Sequence, residues 1–287
     1  MKSAWMLVAG ASFAAMGVFV KLGAQWFSSE ELVFYRSVFG LVVISVAVLW
    51  WHGREAREHL FGAHFLKHLS RGLVGFIALM LFFYSLTRLP LAAAITLNYT
   101  SPLFLALAMP VWLKERPSLL QYLSVLLGFV GVVLLLRPWQ PGGDVVAGLA
   151  GLASGLFAAW AYVHVRQLGK LREPEWRTVF WFTVVCSLGA ALFVGHERWS
   201  PVGPQTLPLL LAVGFFATLG QFSMTRAYKR GQTTVVASFA FSTVVFGALL
   251  DVLIWNDRLP PVAWSGIALT VGAGLWAVWL NEKRKTT

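Results

Sequence analysis

Residues 85–136 read SLTRLPLAAAITLNYTSPLFLALAMPVWLKERPSLLQYLSVLLGFVGVVLLL, and the same pattern returns 142 residues later, at 227–278, as AYKRGQTTVVASFAFSTVVFGALLDVLIWNDRLPPVAWSGIALTVGAGLWAV. The matching positions include Arg88 with Arg230, Thr100 with Ser242, and Glu115 with Asp257. Each copy predicts an apolar helix, a corner of acidic and basic residues, and a second apolar helix. A repeat of this length determines how the whole chain is built.

The composition indicates a membrane protein. Of the 287 residues, 58% are hydrophobic and only 12% are charged, whereas a soluble domain carries about 25% charged residues. Fourteen Trp and 22 Phe fit the aromatic belts found at both membrane interfaces. The single cysteine, Cys186, excludes an intramolecular disulfide and a thiolate metal cluster. We expect a lipid bilayer around the chain and no nucleic-acid partner, despite a formal net charge of +11.

Ten stretches approach the roughly 20 apolar residues that a membrane-spanning helix needs. These candidate spans are 4–26, 31–51, 69–88, 91–112, 118–136, 145–166, 176–195, 206–228, 232–254 and 261–280. The predicted fold class is therefore an all-α membrane protein with ten transmembrane helices. Lys and Arg favour the loops on the side of the N-terminus by roughly four to one, which by the positive-inside rule places both termini in the cytoplasm. We expect a multi-pass protein of the bacterial inner membrane.

The repeat extends over the whole chain and predicts two halves, residues 1–140 and 141–287. Gly72 falls on Gly214, and Arg36 falls on Arg177 after a slip of one residue. Each half holds five helices, and because five is odd the second half enters the membrane from the opposite side. Inverted repeats of this kind carry substrates by alternating access, with the binding site near the midplane where the halves meet.

These features resemble the drug/metabolite transporter superfamily, specifically its ten-helix EamA-type exporters. The residues that carry the resemblance in the first half are Arg36, Pro102, Glu115, Gln121 and Gly131. In the second half, Asp257-Arg258 replaces the usual Glu-Arg pair and Val244 replaces the proline. The resemblance implies a central cavity between helices 1, 3, 4, 6, 8 and 9, with helices 5 and 10 at the periphery. It also implies a small-molecule substrate, which the structural motifs do not identify.

Polar residues within the spans are candidate substrate ligands. Pro102 removes a backbone hydrogen bond in the fourth span, beside Asn98 and Tyr99; these two residues either line a cavity or belong to a kinked packing helix. Gln221 and Thr225 share a face of the eighth span, where substrate contact and bonding between helices are the two alternatives. The full set of predicted substrate contacts is Ser12, Tyr84, Asn98, Tyr99, Trp160, Tyr162, His164, Gln221, Thr225 and Phe241. For the aromatic members and His164, packing and an interfacial position are the alternative interpretations.

Charges inside the spans form a second group. Lys21 and Arg36 are expected in an outer collar near Glu30 and Glu31, and Arg71 is expected to extend to the cytoplasmic surface. Arg177 is expected near Glu173 and Glu175 on the opposite face. The two Arg-carboxylate clusters would serve as paired gates or as paired structural anchors. Glu115 and Asp257 mark the repeated corners and are predicted to be structural.

Several motifs that the sequence lacks argue against particular classes of function. None of the predicted spans has a central Asp or Glu, which disfavours exchange of cations for protons. No metal or cofactor motif is present, and no set of catalytic residues shares a common depth, so we expect no cofactor and no enzymatic activity. The sequence favours an exporter of small amphipathic metabolites, such as amino acids or related neutral or zwitterionic compounds. We expect a monomer, and an oligomer is the alternative that the sequence leaves open. A multidrug exporter of the same fold is the first alternative, and a membrane-embedded enzyme is the second.

Overall fold

The protein is described here from a computed structural model. It covers residues 3–52, 64–101, 103–104, 119–136, 144–195, 199–231, 236, 239–256 and 259–286. Within these ranges every regular element is a helix. In chain order the helices are α1 (Trp5–Gly23), α2 (Ser29–His52), α3 (Phe65–Arg88), α4 (Leu91–Asn98), α5 (Leu119–Leu136), α6 (Val145–Lys170), α7 (Glu175–Val194), α8 (Leu207–Arg230), α9 (Ser242–Trp255) and α10 (Pro261–Thr286). The predicted all-α class is confirmed for this part of the chain.

Six of these helices are long and apolar enough to cross a membrane, namely α1, α2, α3, α6, α7 and α8. Shorter apolar stretches lie in α5, α9 and α10. Large apolar side chains cover the outside of the bundle: Leu192 is 83% exposed and Leu253 is 77% exposed. Such a surface is stable against acyl chains and unstable in water, so the helices are those of a multi-pass membrane protein.

The fourth predicted span, 91–112, is not one continuous helix in the described part. The helix α4 ends at Asn98, and the Thr100 N–H donates to the carbonyl of Leu97 at 3.2 Å, three residues back. At the matching position of the second copy, α9 begins only after Phe241. Pro102 and the corner residues Glu115 and Asp257 lie outside the described residues, so their predicted roles stay predictions.

Helix packing follows a regular scheme. The most extensive pairings are α1 with α8, α3 with α6, α2 with α7, and α5 with α10. The next are α3 with α7, α2 with α8, α1 with α9, and α4 with α6. These pairings are symmetric between the first five helices and the last five. When α1 is exchanged with α6, α2 with α7 and so on, the pairing of α1 with α8 becomes that of α6 with α3, and the same set of pairings results.

The helices α5 and α10 meet at small residues. A Cβ added to Gly131 would lie 2.7 Å from the backbone nitrogen of Thr270, so only glycine permits this approach. The Thr270 hydroxyl donates to the carbonyl of Gly128 at 3.4 Å. Gly128 and Thr270 occupy equivalent positions of the sequence repeat, and they touch each other directly. The two helices pack chiefly on one another, beside the rest of the bundle.

A second close approach gives a stability prediction. A Cβ on Gly155 of α6 would lie 2.5 Å from the Thr100 hydroxyl and 2.8 Å from the Leu97 carbonyl. We expect Gly155→Ala to lower the free energy of unfolding by about 2 kcal/mol, because backbone atoms must move. Gly272 on α10 has no atom within 4 Å of an added Cβ, so Gly272→Ala should be neutral or slightly stabilising. Thermal unfolding in detergent measures both; equal losses would contradict the assigned packing.

Candidate functional site

A cavity lies in the centre of the helix bundle. Its lining comes from α1, α3, α4, α6, α8 and α9, as the family resemblance implies, and also from α2 and α7. It encloses about 650 Å³ of atom-free space, including a part open to solvent. The part of the cavity that water can occupy has a volume of about 80 Å³, which is room for a few water molecules. A metabolite-sized ligand therefore requires the helices to move apart from this arrangement.

Two buried arginines face the cavity. Arg36 of α2 is 4% exposed and Arg71 of α3 is 2% exposed. The ring of Phe182, from α7, lies 5.7 Å from the guanidinium carbon of Arg36 and 4.2 Å from that of Arg71. Neither guanidinium forms an ion pair or a hydrogen bond with another residue of the described ranges. Nε of Arg36 and both Nε and Nη1 of Arg71 are buried without a hydrogen-bond partner.

The position of Arg71 follows from a small neighbour. Nη1 of Arg71 occupies the space that a Cβ on Gly75 would take, and that Cβ would also lie 2.9 Å from the Phe182 ring. The side chain is thus held inward against the aromatic ring. The expectation that Arg71 extends to the cytoplasmic surface is wrong for this reason. At the equivalent position of the second copy the residue is Val213, which is fully buried, so the cavity is not charged symmetrically.

Arg36 also differs from its expected place beside Glu30 and Glu31. The carboxylate of Glu31 accepts from the Ser28 N–H at 2.7 Å and from the Ser200 hydroxyl at 3.1 Å. These bonds hold Glu31 to two loops and leave the Arg36 side chain directed to the cavity. The prediction that Arg36 belongs to an outer collar is therefore wrong.

Four of the predicted substrate contacts line the same cavity: Asn98, Tyr99, Tyr162 and Gln221. Asn98 Nδ2 donates to the Ser154 hydroxyl at 2.9 Å, which joins α4 to α6. Gln221 Nε2 donates to Thr225 Oγ1 at 3.4 Å within α8. Both amides thus have protein partners as well as access to the cavity, and their contact with a substrate stays a prediction.

The other six predicted contacts are not among the described residues that line the cavity. Trp160 is 44% exposed on the outside of α6, and His164 Nε2 lies 3.0 Å from the Ser70 hydroxyl. Tyr84 packs under the Arg88 guanidinium, with 4.3 Å between guanidinium carbon and ring centre. The remaining three are buried: Ser12, whose hydroxyl donates to the Val8 carbonyl at 2.7 Å, Thr225, and Phe241, which packs against Gly274. Their predicted role in binding gains no support from this arrangement.

The model of the EamA-like transporter family matches the chain twice, at residues 2–137 and 146–279. The chain belongs to the EamA-like transporter family. This confirms the resemblance to the drug/metabolite transporter superfamily that the repeat and its sequence motifs indicate. It also makes the chain a multi-pass membrane transporter.

Several EamA-like relatives have named activities. The pseudopaline exporter CntI of Pseudomonas aeruginosa is 31% identical, over 95% of this chain and 91% of the relative. A riboflavin transporter of Brucella anthropi is 23% identical, over 94% of this chain and 96% of the relative. A solved crystal structure, 21% identical, covers 99% of this chain and 100% of the other chain with a TM-score of 0.69, and shows the same fold.

In this EamA-like chain a charged cluster joins α3, α7 and α8 at the end of the bundle that carries residues 171–174. The Glu173 carboxylate lies 2.6 Å from Arg177 Nη1 and 3.2 Å from His68 Nε2. Lys229 Nζ donates to the Glu173 carbonyl at 2.9 Å. Burial raises the pKa of the Glu173 carboxyl, but the hydrogen bond from His68 and the charge of Arg177 outweigh it and leave the pKa below its usual value. The expected pairing of Arg177 with Glu173 is present, and its role as gate or anchor stays a prediction.

A smaller charged cluster joins α1, α4 and α9 at the other end. Lys21 Nζ lies 3.6 Å from Asp251 Oδ1 and 4.7 Å from the centre of the Trp255 ring. The other carboxylate oxygen of Asp251 accepts from the Ala92 N–H at 2.8 Å, in the first turn of α4. The expectation that Lys21 joins Glu30 and Glu31 is wrong, because its partner comes from α9.

Proposed function

We propose that this chain exports a small amphipathic metabolite that carries a carboxylate, such as an amino acid or a related compound, by alternating access. The observation that carries the proposal is the pair of buried arginines in the central cavity, Arg36 and Arg71, which have no ion-pair or hydrogen-bond partner among the described residues. The proposal is more specific than the sequence-based expectation, which included neutral compounds without a carboxylate.

Both guanidinium groups are buried, and no carboxylate of the described lining residues lies beside them. A buried charge without a counter-charge destabilises a protein by several kcal/mol in low dielectric. A carboxylate between Arg36 and Arg71 would supply the missing acceptor, and the planar guanidinium fork matches carboxylate geometry. Among the described lining residues no Asp or Glu opposes these charges. A cationic substrate would therefore meet two positive groups and no negative one.

The rest of the lining suits an amphipathic molecule. Phe13, Met16 and Phe82 supply apolar surface, whereas Asn98 and Gln221 supply amide groups. Pockets for metabolites combine a mostly apolar wall with a few polar groups that fix orientation. An amino group of a zwitterionic substrate would have the amide oxygens of Asn98 and Gln221 as acceptors.

The proposed mechanism depends on two inverted halves, residues 1–140 and 141–287, with ten membrane-spanning helices. The helix pairings that survive exchange of the two sets of five helices support this arrangement. So does the contact of Gly128 with Thr270, two equivalent positions that would meet on the pseudo-two-fold axis. The excess of Lys and Arg on one side supports cytoplasmic termini in the bacterial inner membrane. The Pseudomonas relative, a pseudopaline exporter, supports the export direction.

A multidrug exporter is the second candidate, because aromatic rings from four helices, Phe13, Phe82, Tyr162 and Phe182, face the cavity. Purified protein in liposomes separates the two candidates by counterflow of labelled substrate at equal pH on both sides. We expect counterflow of leucine or phenylalanine and almost none of leucinamide or phenylalaninamide, which differ only at the carboxylate. Equal transport of acids and amides, or preference for an aromatic cation such as ethidium, would contradict the carboxylate proposal.

A further inference from the structure

A second cavity opens at the end of the bundle that carries residues 171–174, away from the central site. It encloses about 1100 Å³ of atom-free space, including a part open to solvent. Its walls come from α2, from residues 172–176, and from α8. We call this space the α2–α8 groove. None of the residues that line the central cavity contributes to it.

The deeper wall of the α2–α8 groove is apolar. Ile44 and Val48 of α2 pack there with Phe222 of α8 and Trp176 of α7. On other faces of the same stretch of α2, Val46 is 57% exposed and Leu49 is 52% exposed. Exposed aliphatic side chains of a membrane-spanning helix contact lipid, so the groove is formed on a helix that also has a lipid-facing surface.

The rim of the groove is cationic. Arg172, Arg226 and Arg230 line it, together with the carboxylates of Glu173 and Glu175. The two carboxylates are engaged: Glu173 with His68 and Arg177, and Glu175 with Arg230, whose Nε lies 2.6 Å from Glu175 Oε1. Arg226 lies over the ring of Trp5 at 4.9 Å, and Arg172 pairs with no carboxylate in the described ranges. Within the described part of the chain, neither Arg172 nor Arg226 has a carboxylate partner.

The backbone at Arg172 is unusual. Its φ is 58°, in the left-handed region, where the turn that ends α6 has the Glu173 N–H donating to the Leu168 carbonyl at 3.1 Å. Glycine or asparagine is the ordinary residue at this position of a helix end, because a Cβ is disfavoured there. An arginine at a strained backbone position on the rim of a cavity points to a functional role for its side chain, here the binding of an anion.

We propose that the α2–α8 groove binds one anionic phospholipid. Its phosphate lies between Arg172 and Arg226, and an acyl chain follows the wall formed by Ile44, Val48 and Phe222. Basic pockets between helices at the membrane surface select anionic headgroups over zwitterionic ones, whose ammonium group is repelled. The bound lipid touches α2 on one side and α7 and α8 on the other, so it holds these helices together.

Binding to purified protein in a neutral detergent tests this site, with short-chain phosphatidylglycerol and phosphatidylcholine as probes. Bound lipid is counted by native mass spectrometry. We expect phosphatidylglycerol to bind about tenfold more tightly than phosphatidylcholine, because two free cations face its phosphate. Arg172→Asn keeps a residue that tolerates the left-handed turn and removes the charge, so it should weaken phosphatidylglycerol binding about fivefold. Arg172→Lys should stay within about twofold of the unmodified protein, since the charge remains.

Arg166→Gln is the matched control, because Arg166 is an exposed arginine near the same end of α6 and does not line the groove. Its affinity for phosphatidylglycerol should be unchanged. Three results would overturn the proposal: equal binding of the two lipids, equal weakening by Arg166→Gln and Arg172→Asn, or displacement of phosphatidylglycerol by glycerol phosphate at a similar concentration. The last would identify a site for soluble anions.

Discussion

Replacing Arg71 by glutamine is expected to lower the rate of substrate counterflow by about 100-fold, because a buried charge pair with the substrate carboxylate is lost. The same change should leave the unfolding temperature unchanged or raise it. In the described structure the Arg71 guanidinium has no ion-pair partner, so its removal leaves no opposite charge buried alone. Loss of function without loss of stability separates a binding group from a structural one. Initial counterflow rates and thermal unfolding in detergent give the two readouts.

Two companion variants make the result specific. Arg71→Lys keeps the charge but loses the planar fork and its stacking on Phe182, so transport should fall less than in Arg71→Gln. Arg36→Gln should resemble Arg71→Gln, since both guanidinium groups face the same cavity. A large drop in unfolding temperature together with normal transport per folded molecule would show that Arg71 is an anchor and that the substrate is bound elsewhere.

Replacing Asp251 by alanine should lower the free energy of unfolding by about 2 kcal/mol, because it removes a buried acceptor of the Ala92 N–H and the ion-pair partner of Lys21, whose side chain is 22% exposed. Asp251 is fully buried, and its carboxylate serves both Lys21 and the N–H of Ala92. Its loss therefore affects three helices, α1, α4 and α9. Thermal and denaturant unfolding of the purified protein measure the effect.

Asp144 offers a matched control for this variant. It also accepts from a backbone N–H at the start of a helix, that of Ala147 at 2.8 Å, and lies near a cation, 3.8 Å from Arg88. Its side chain is 34% exposed, so Asp144→Ala should lower stability by only about 1 kcal/mol. The double variant Lys21→Met with Asp251→Leu should be more stable than Asp251→Ala, because no charge is left alone. Equal losses for Asp251→Ala and Asp144→Ala would contradict the assigned role of the buried pair.

Long apolar runs made the larger helices predictable. The predicted spans 69–88 and 145–166 correspond to α3 (Phe65–Arg88) and α6 (Val145–Lys170), because bilayer thickness imposes their length. The break after Asn98 was harder to predict. The polar residues Asn98 and Tyr99 marked the region, but the exact end of α4 depends on its packing against α6 at Gly155.

The candidate site was predicted only in part, for a physical reason. Asn98, Tyr99 and Gln221 are unusual inside apolar spans, so composition alone marked them. Arg71 stands near the end of a span, where a long side chain usually reaches the surface. Its inward direction depends on Gly75 beside it and on Phe182 from a distant helix. Sequence periodicity carries no information on such a contact between α3 and α7.

The uneven charge of the central cavity bears on transport kinetics. Arg71 belongs to the first half, and the matching residue of the second half is Val213. Under the proposed alternating-access mechanism, the inward-open and outward-open forms therefore differ in the positive charge that faces the substrate. Half-saturation concentrations measured from the two sides of the membrane should differ, and so should the maximal rates. For uncoupled transport, the ratio of maximal rate to half-saturation concentration must be the same in both directions, because net flux is zero at equal substrate concentrations. The charge asymmetry therefore changes the rate of transport from each side of the membrane. The substrate gradient alone sets the direction of net flux.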